Sequence, residues 1–315
     1  MVKISFVIPC YGSENSIESV VNEITETVNT RKDEYDYEII LVNDCSPDGV
    51  WKKIKKICAD NGKIRGIHLS KNFGQQSALM AGYRNIEGDL LVSLDDDGQT
   101  PVNEIFKLID RLNEGYDVVY GYYEHRKHSP FRNFGSKVDK VMERILVNRP
   151  KDLRSSSFYV ARRFVVDELV NYRNPYAYIG GLVFRTTQNI SCVPVTQRER
   201  YYGESGYTFK KLLKMWLNGF TGFSVKPLRF ASYLGILSSL LGFLFLVYLI
   251  IKKIFGAHVL AGWTSTIAVM LIIGGLILFV LGMLGEYVGR IYICLNNAPQ
   301  YVIKDSINCG KDREN

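Results

Sequence analysis

Three adjacent carboxylates, Asp95, Asp96 and Asp97, close the short apolar run Leu90–Leu94 and lead into Gly98 and Gln99. Side by side they repel one another, and such a cluster is tolerated where a cation neutralises it. Mg²⁺ or Mn²⁺ held by one or two carboxylates, with phosphate oxygens completing its shell, is the usual arrangement around a diphosphate ligand. Its chemistry would be to stabilise charge on a departing nucleotide diphosphate. The plain alternative is an acidic turn capping the next helix; placement at a strand end favours the metal.

Two further groups sit at the ends of apolar runs. Asn43-Asp44 is followed by Ser46 and Asp48. An Asp in the position of Asp44 can accept a hydrogen bond from a nucleobase N–H, whereas Ser46 and Asp48 read better as helix N-caps. Pro9-Cys10-Tyr11 leads into a helical pattern with Glu14 near its start, and the Tyr11 ring can stack on a base. Basic residues gather later: Arg126, Lys127, Arg132, Lys137, Arg154, Arg198 and Arg200. Arg binds phosphate oxygens in a fixed fork. Singly each is as easily a solvated surface charge; together they suit an anionic acceptor near a membrane.

Several chemistries lack their fingerprints. No G-x-G-x-x-G, phosphate-binding G-x-x-x-x-G-K-[ST] or G-x-S-x-G occurs. The four histidines have no zinc-ligand spacing, and the six cysteines are scattered without a C-x-x-C pair. That argues against a zinc site or disulfide framework and suits a reducing compartment.

The elements that would position these groups alternate. Strand-like runs at Lys3–Pro9, Tyr37–Asn43, Ile64–Leu69, Leu90–Leu94 and Val118–Gly121 are separated by helical patterns at Ser16–Asn29, Val50–Asp60, Gln75–Arg84 and Val102–Asn113. This predicts an α/β fold with a parallel, doubly wound sheet, whose ligand crevice lies at the carboxyl ends of the strands. Tyr11, Asp44 and Asp95–Asp97 fall there. Residues 124–205 are less regular and rich in Arg, Tyr and Ser.

Charge divides the chain. Of 315 residues, 47% are hydrophobic and 23% charged, with a net charge of +7, yet from Phe230 to Gly285 the only Lys, Arg, Asp or Glu residues are Lys252 and Lys253. Residues 231–251 and 263–285 are long and apolar enough to span a bilayer, for which about 20 residues suffice. Lys210, Lys211, Lys214, Lys226 and Arg229 flank them, which favours an anionic lipid surface over nucleic acid. Residues 207–222 pattern as an amphipathic helix, suited to the membrane interface or to packing on a core. The chain opens on a strand-like run, so no signal peptide is expected. Two spans return the chain to one side, and the positive-inside rule makes that side the cytoplasm of an inner or plasma membrane. The expected organisation is a catalytic domain at 1–206, a juxtamembrane segment at 207–229, two transmembrane helices within 230–286 and a cytoplasmic tail at 287–315.

The chain resembles the family 2 glycosyltransferases, in the polyisoprenyl-phosphate branch that includes dolichol-phosphate mannose synthase and bacterial undecaprenyl-phosphate sugar transferases. The resemblance rests on Val7-Ile8-Pro9-Cys10-Tyr11, Val42-Asn43-Asp44-Cys45-Ser46-Pro47-Asp48, Asn72-Phe73-Gly74, Asp95 through Pro101, and Arg198-Glu199-Arg200-Tyr201-Tyr202-Gly203-Glu204-Ser205-Gly206-Tyr207, in order over nearly the whole length. It implies a GT-A (Rossmann-like) domain and inverting transfer from a nucleotide diphosphosugar, UDP-glucose or a UDP-N-acetylhexosamine, to undecaprenyl phosphate. Carried over by position, Pro9, Tyr11, Glu14 and Asp44 would surround the nucleoside, with Asp95 and Asp96 alongside. Asp95 and Asp97 would hold the metal, Asp97 principally. Gln99 would lie near the sugar or acceptor. Arg132 and Ser136 resemble an acceptor-phosphate motif; Arg198, Arg200 and Ser205 resemble a loop that closes on the diphosphate.

Three positions depart from the family pattern. Gly12 stands where Asn is usual, Asp96 stands where the residue is usually small, and Tyr123 stands where Arg is frequent, with Arg126 as the substitute. The resemblance also implies a downstream flippase and an outward-facing transferase, and a homo-oligomer, dimer or tetramer. Two rival expectations are a processive polysaccharide synthase, since Gln197-Arg198-Glu199-Arg200-Tyr201 loosely matches its acceptor motif, and a catalytically idle membrane scaffold.

Overall fold

The computed structural model describes residues 1–123, 153–196, 198, 226–255 and 262–309. Strands β1 (Val2–Cys10), β2 (Tyr35–Asn43), β3 (Ile64–Leu69) and β4 (Leu90–Ser93) alternate with helices α1 (Ile17–Asn29), α2 (Val50–Asp60) and α3 (Gln75–Tyr83). A 3₁₀ turn at Val102–Glu104 leads into α4 (Ile105–Asn113), followed by β5 (Val118–Tyr123). Beyond residue 152 come β6 (Tyr159–Arg162), α5 (Arg163–Val170), α6 (Ile179–Thr186) and β7 (Ile190–Val195). Two long helices, α7 (Lys226–Ile254) and α8 (Trp263–Leu295), precede a last strand, β8 (Ile303–Ile307).

The eight strands form one sheet in the order β7-β5-β6-β4-β1-β2-β3-β8. β4, β1, β2 and β3 run parallel, as the alternating pattern predicts, and so do β5 and β7. The expectation of a parallel sheet is corrected at two places: β6 is antiparallel to both β4 and β5, and β8 is antiparallel to β3. β1 and β2 read as apolar runs because the sheet is covered on both faces. Ile4, Phe6 and Ile8 pack with Ile17, Val20 and Ile24 of α1 and with residues of α2 and α4. Val7 and Val42 face the other way, under α3, where a Cβ on Gly82 would lie 2.3 Å from Val7 Cγ1.

The chain divides into two compact units, one of residues 1–212 with 297–315 and one of residues 213–296. The second contains α7 and α8, each with a stretch long and apolar enough to cross a membrane, Leu228–Phe245 and Ile272–Leu295. Almost nothing of those stretches is buried within the chain. The expected boundary after residue 286 differs from the structure: α8 runs on to Leu295, carrying an Arg290–Glu286 ion pair across one turn. The segment after α8 is no free tail, since β8 belongs to the sheet of the first unit. The expected amphipathic segment lies almost wholly outside the described residues, which resume at Lys226.

Candidate active site

The register of β1 with its neighbours, Cys10 opposite Asn43 and Val7 opposite Ser93, brings the carboxyl ends of β1, β2 and β4 side by side. Tyr11, Asp44 and Asp95–Asp97 therefore leave the sheet together, although Tyr11 and Asp95 are 84 positions apart. Tyr11 is 55% exposed at this edge, which leaves it accessible for stacking.

The loops are tied by polar side chains. The Tyr11 N–H donates to Asp96 Oδ2 at 2.9 Å, and Ser16 Oγ donates to the Asp96 carbonyl at 2.6 Å. The middle carboxylate is thus tied to the β1–α1 loop. Burial pushes Asp96 up to about 6, the Tyr11 N–H opposes this, and the charge of Asp95 adds to it. Through that bond Asp96 holds the backbone of Tyr11 at the strand edge. Cys10, next to it, is a buried thiol pushed well up by burial and by the charge of Asp96.

Gly12 N–H donates to Ser46 Oγ at 2.8 Å, and Ser46 Oγ donates to Asp48 Oδ1 at 2.6 Å. Asp48 Oδ2 accepts the Glu14 N–H, and Glu14 Oε2 accepts the Gly49 N–H, both at 2.9 Å. Glu14, expected at the nucleoside, is in this arrangement a brace between the first and second βα loops. Gly12 has φ +72°, a left-handed conformation that Gly and Asn tolerate best. That accounts for Gly in a position where Asn is usual.

Asp44 is buried, and its two oxygens accept the backbone N–H groups of Phe73 at 2.7 Å and Gly74 at 2.8 Å. Burial raises its pKa, and those two bonds work against the rise. Asp44 therefore holds the loop before α3, and a nucleobase reaching it would share oxygens already engaged. Asn43 beside it accepts the Ser46 N–H at 2.9 Å, and its amide lies 2.8 Å from His68 Nδ1. Pro9 is buried within β1, opposite Val42, so it supports the edge from behind.

Asp95 and Asp97 remain at the surface of the crevice. Gln75 Nε2 donates to Asp95 Oδ1 at 2.8 Å, and Ser157 Oγ donates to Asp95 Oδ2. Asp97 Oδ1 accepts the Gln99 N–H at 3.0 Å across Gly98, whose φ is +71°. Gln99 Nε2 reaches the Arg198 carbonyl at 3.4 Å, whereas the Arg198 guanidinium turns to Glu23, 2.8 Å away, and to Asn103 Oδ1. Arg198 is near the acidic loop through its backbone. Arg126, Arg132, Ser136, Arg200 and Ser205 lie outside the described residues.

Among the described residues no group of three or more His, Cys, Asp or Glu side chains forms a ready cage for a metal. The donors present are two surface carboxylates, Asp95 and Asp97. That set fits a hard divalent cation such as Mg²⁺ or Mn²⁺ that takes its remaining ligands from phosphate and water.

Similarity to known proteins agrees with this geometry. Residues 5–170 match the Glycosyl transferase family 2 domain, and residues 226–291 match the GtrB C-terminal hairpin. The undecaprenyl-phosphate 4-deoxy-4-formamido-L-arabinose transferase of Proteus mirabilis (strain HI4320) is 33% identical over 317 residues, 99% of this chain and 96% of that protein. The uncharacterized glycosyltransferase YkcC of Bacillus subtilis (strain 168) is equally similar, with the same coverage of both chains. Glucosyl-3-phosphoglycerate synthase from Mycobacterium tuberculosis, crystallised with Mn²⁺, UDP and phosphoglyceric acid, shares the fold. Its TM-score is 0.53 at 21% identity, covering 69% of this chain and 75% of that one. The same enzyme with Mn²⁺ and UDP-glucose compares alike, with a TM-score of 0.53. The GT-A sheet, the acidic strand end and the helical hairpin thus have one explanation: the chain belongs to glycosyltransferase family 2, in its polyisoprenyl-phosphate branch.

Proposed function

We propose that the protein transfers a sugar from a nucleotide diphosphosugar, a UDP-sugar, to a polyisoprenyl phosphate such as undecaprenyl phosphate, with inversion at the anomeric carbon. The observation that carries this reading is the acidic edge, Asp95 and Asp97, in a chain whose matched hairpin supplies two membrane-length helices. The similarity to a named undecaprenyl-phosphate transferase supports the lipid acceptor. The Mn²⁺ and UDP-glucose of the structural neighbour support the donor and the metal.

In this reading Tyr11 stacks on the base, and the Asp44-held loop and the Glu14 brace shape the nucleoside cleft. Asp95 and Asp97 hold Mg²⁺ or Mn²⁺, which when bound offsets charge on the leaving diphosphate. Gln99 lies toward the sugar. The acceptor phosphate is anionic at neutral pH, so it needs orientation and desolvation by Arg more than it needs a general base. Arg126, Arg132 and Ser136 are assigned to that phosphate; Arg198, Arg200 and Ser205 are assigned to the diphosphate. For the latter role, Arg198 has to leave Glu23.

The first unit contains residues on both sides of the hairpin, and a folded unit cannot straddle a bilayer. Two crossings fit that arrangement, and the positive-inside rule supports a catalytic domain on the cytoplasmic face. The product, a lipid-phosphate sugar, is then a substrate for a flippase and an outward-facing transferase. Assembly as a dimer or tetramer is part of the same reading.

The test is to incubate membranes holding the protein with undecaprenyl phosphate, Mg²⁺ or Mn²⁺ and a panel of radiolabelled UDP- and GDP-sugars. The expected result is label from one donor in the organic extract, abolished by EDTA and by Asp97→Asn. Label only in insoluble polymer would replace this reading with a processive synthase. Nucleotide binding without transfer would replace it with an idle scaffold.

A further inference from the structure

We propose that Gln75 is a positioning residue for the metal site: together with Ser157 it clamps the carboxylate of Asp95, one hydrogen bond to each oxygen, in the orientation that receives the cation. The inference rests on the metal-dependent reading of the acidic edge and deepens it.

Each carboxylate oxygen has two lone pairs, so one can accept from Gln75 or Ser157 while the other faces a cation. Partners that hydrogen-bond to a ligating carboxylate fix its orientation, and losing one typically lowers metal affinity about 10–100-fold. Gln75 and Ser157 are neutral donors to Asp95. A Lys or Arg in either position would bring a positive charge to the carboxylate and compete with the cation; an amide and a hydroxyl orient it without doing so.

The placement of Gln75 is itself built. It is the first residue of α3, directly after Gly74, whose φ of +91° turns the chain into the helix. The N–H groups of Phe73 and Gly74 are fixed by the buried Asp44 carboxylate. The neighbouring Gln76 accepts the Ile179 N–H at 2.9 Å and so ties the same turn to the start of α6. Ser157 approaches from a different part of the chain, the segment leading into β6, which lies antiparallel beside β4. A buried carboxylate at the end of β2 thereby sets the position of a side chain that orients a carboxylate at the end of β4.

The experiment titrates Mn²⁺, followed by its electron paramagnetic resonance signal, into the full chain in detergent with UDP present. The variants are Gln75→Leu, Ser157→Ala, Ser157→Thr, Asp95→Asn and Asp97→Asn, each checked by thermal unfolding. Gln75→Leu keeps the bulk of an exposed side chain and removes its donor. It is expected to weaken Mn²⁺ binding by about 10–100-fold with an unchanged unfolding temperature. Ser157→Ala is expected to weaken binding, and Ser157→Thr, which keeps the hydroxyl, to restore it. Wild-type Mn²⁺ affinity in Gln75→Leu and Ser157→Ala alongside weakened binding in Asp95→Asn would overturn the clamp and leave the metal site standing. Unchanged affinity in Asp95→Asn and Asp97→Asn as well would overturn both.

Discussion

Arg84 at the end of α3 and Tyr301 beyond the helical hairpin meet across 217 positions of sequence: the guanidinium lies 5.2 Å from the ring centroid, and Nη1 donates to the phenol oxygen at 3.0 Å. The same guanidinium donates through Nη2 to the carbonyls of Val170 and Tyr172. Nearby, Gln300 is buried and donates to the Asn174 carbonyl at 2.9 Å. Asn308 donates to the carbonyls of Cys58 and Ile64, both at 2.8 Å. The segment after the hairpin is thus a working part of the first unit. Deleting residues 297–315 is expected to uncover β3 as an edge strand and lower the unfolding temperature by several degrees. Tyr301→Phe, which removes one hydrogen bond and keeps the ring, is expected to cost about 0.5–1.5 kcal/mol. Thermal unfolding in detergent measures both; a deletion as stable as the full chain would refute the structural role.

Asp44 offers a second test. Replacing it by Ala leaves the N–H groups of Phe73 and Gly74 without their acceptor next to a buried site. Each unsatisfied group costs about 1–3 kcal/mol. Both N–H groups are partly buried, so Asp44→Ala is expected to destabilise the catalytic unit by about 1–3 kcal/mol in all. The loop before α3 should loosen, and binding of UDP, followed by calorimetry, should weaken. Full stability with weakened nucleotide binding would show that Asp44 serves the ligand and not the loop.

At the opposite ends of the strands, Glu87 bonds to Arg65 and Lys3, at 2.6 Å and 3.0 Å, with Glu38 buried behind them. Those bonds lower Glu87 from 4.5 to about 2. A carboxylate lowered by folding contributes stability that is complete above its unfolded value and fades as pH falls. The window here runs from about pH 4.5 down to about pH 2. The Glu87 side chain is 49% exposed, so solvent screens most of the effect, leaving no more than about 1 kcal/mol at pH 7. Urea unfolding of Glu87→Gln should show that small deficit at pH 7, a smaller one in high salt, and none near pH 2. A deficit that grows on acidification would contradict the assignment.

Much of the sheet and of the acidic edge was legible because each depended on local pattern. β1 to β4 are apolar runs bounded by helices, and Asp95 and Asp97 declare themselves by adjacency. What was hidden depends on tertiary pairing. β6 has four residues, ends in Arg162 and owes its place to β4 and β5. β8 reads Ile-Lys-Asp-Ser-Ile, and nothing nearby indicates that it pairs with a strand some 240 residues earlier. In the site, Gln75 and Ser157 are ordinary polar residues until the fold brings them to Asp95. The tie of Asp96 to the β1–α1 loop needed the Tyr11 N–H, which no spacing rule supplies. Gly12 departs from the family pattern, and its positive φ makes the change from Asn conformationally mild.

Gly82 connects packing to the site. It lies near the end of α3, against Val7 and Val42, and a Cβ there would sit 2.3 Å from Val7 Cγ1 and 3.2 Å from Val42 Cγ2. Val7 and Val42 are fully buried on β1 and β2, so neither can step aside cheaply. Gly82→Ala gains about 1 kcal/mol in helix propensity. Overpacking a tight interface typically costs about 1–3 kcal/mol, so lost stability is the expected balance. The strain is relieved by lifting α3 from the sheet, and α3 begins with Gln75, whose amide meets Asp95 at 2.8 Å. Gly82→Ala is therefore expected to lower the unfolding midpoint and to weaken Mn²⁺ binding although residue 82 touches no ligand. Gly82→Ser, larger again, should do both more strongly. A variant of lower stability with wild-type Mn²⁺ affinity would mean that α3 yields at its C-terminal end alone and that its first turn is held independently, by Asp44 and Gln76.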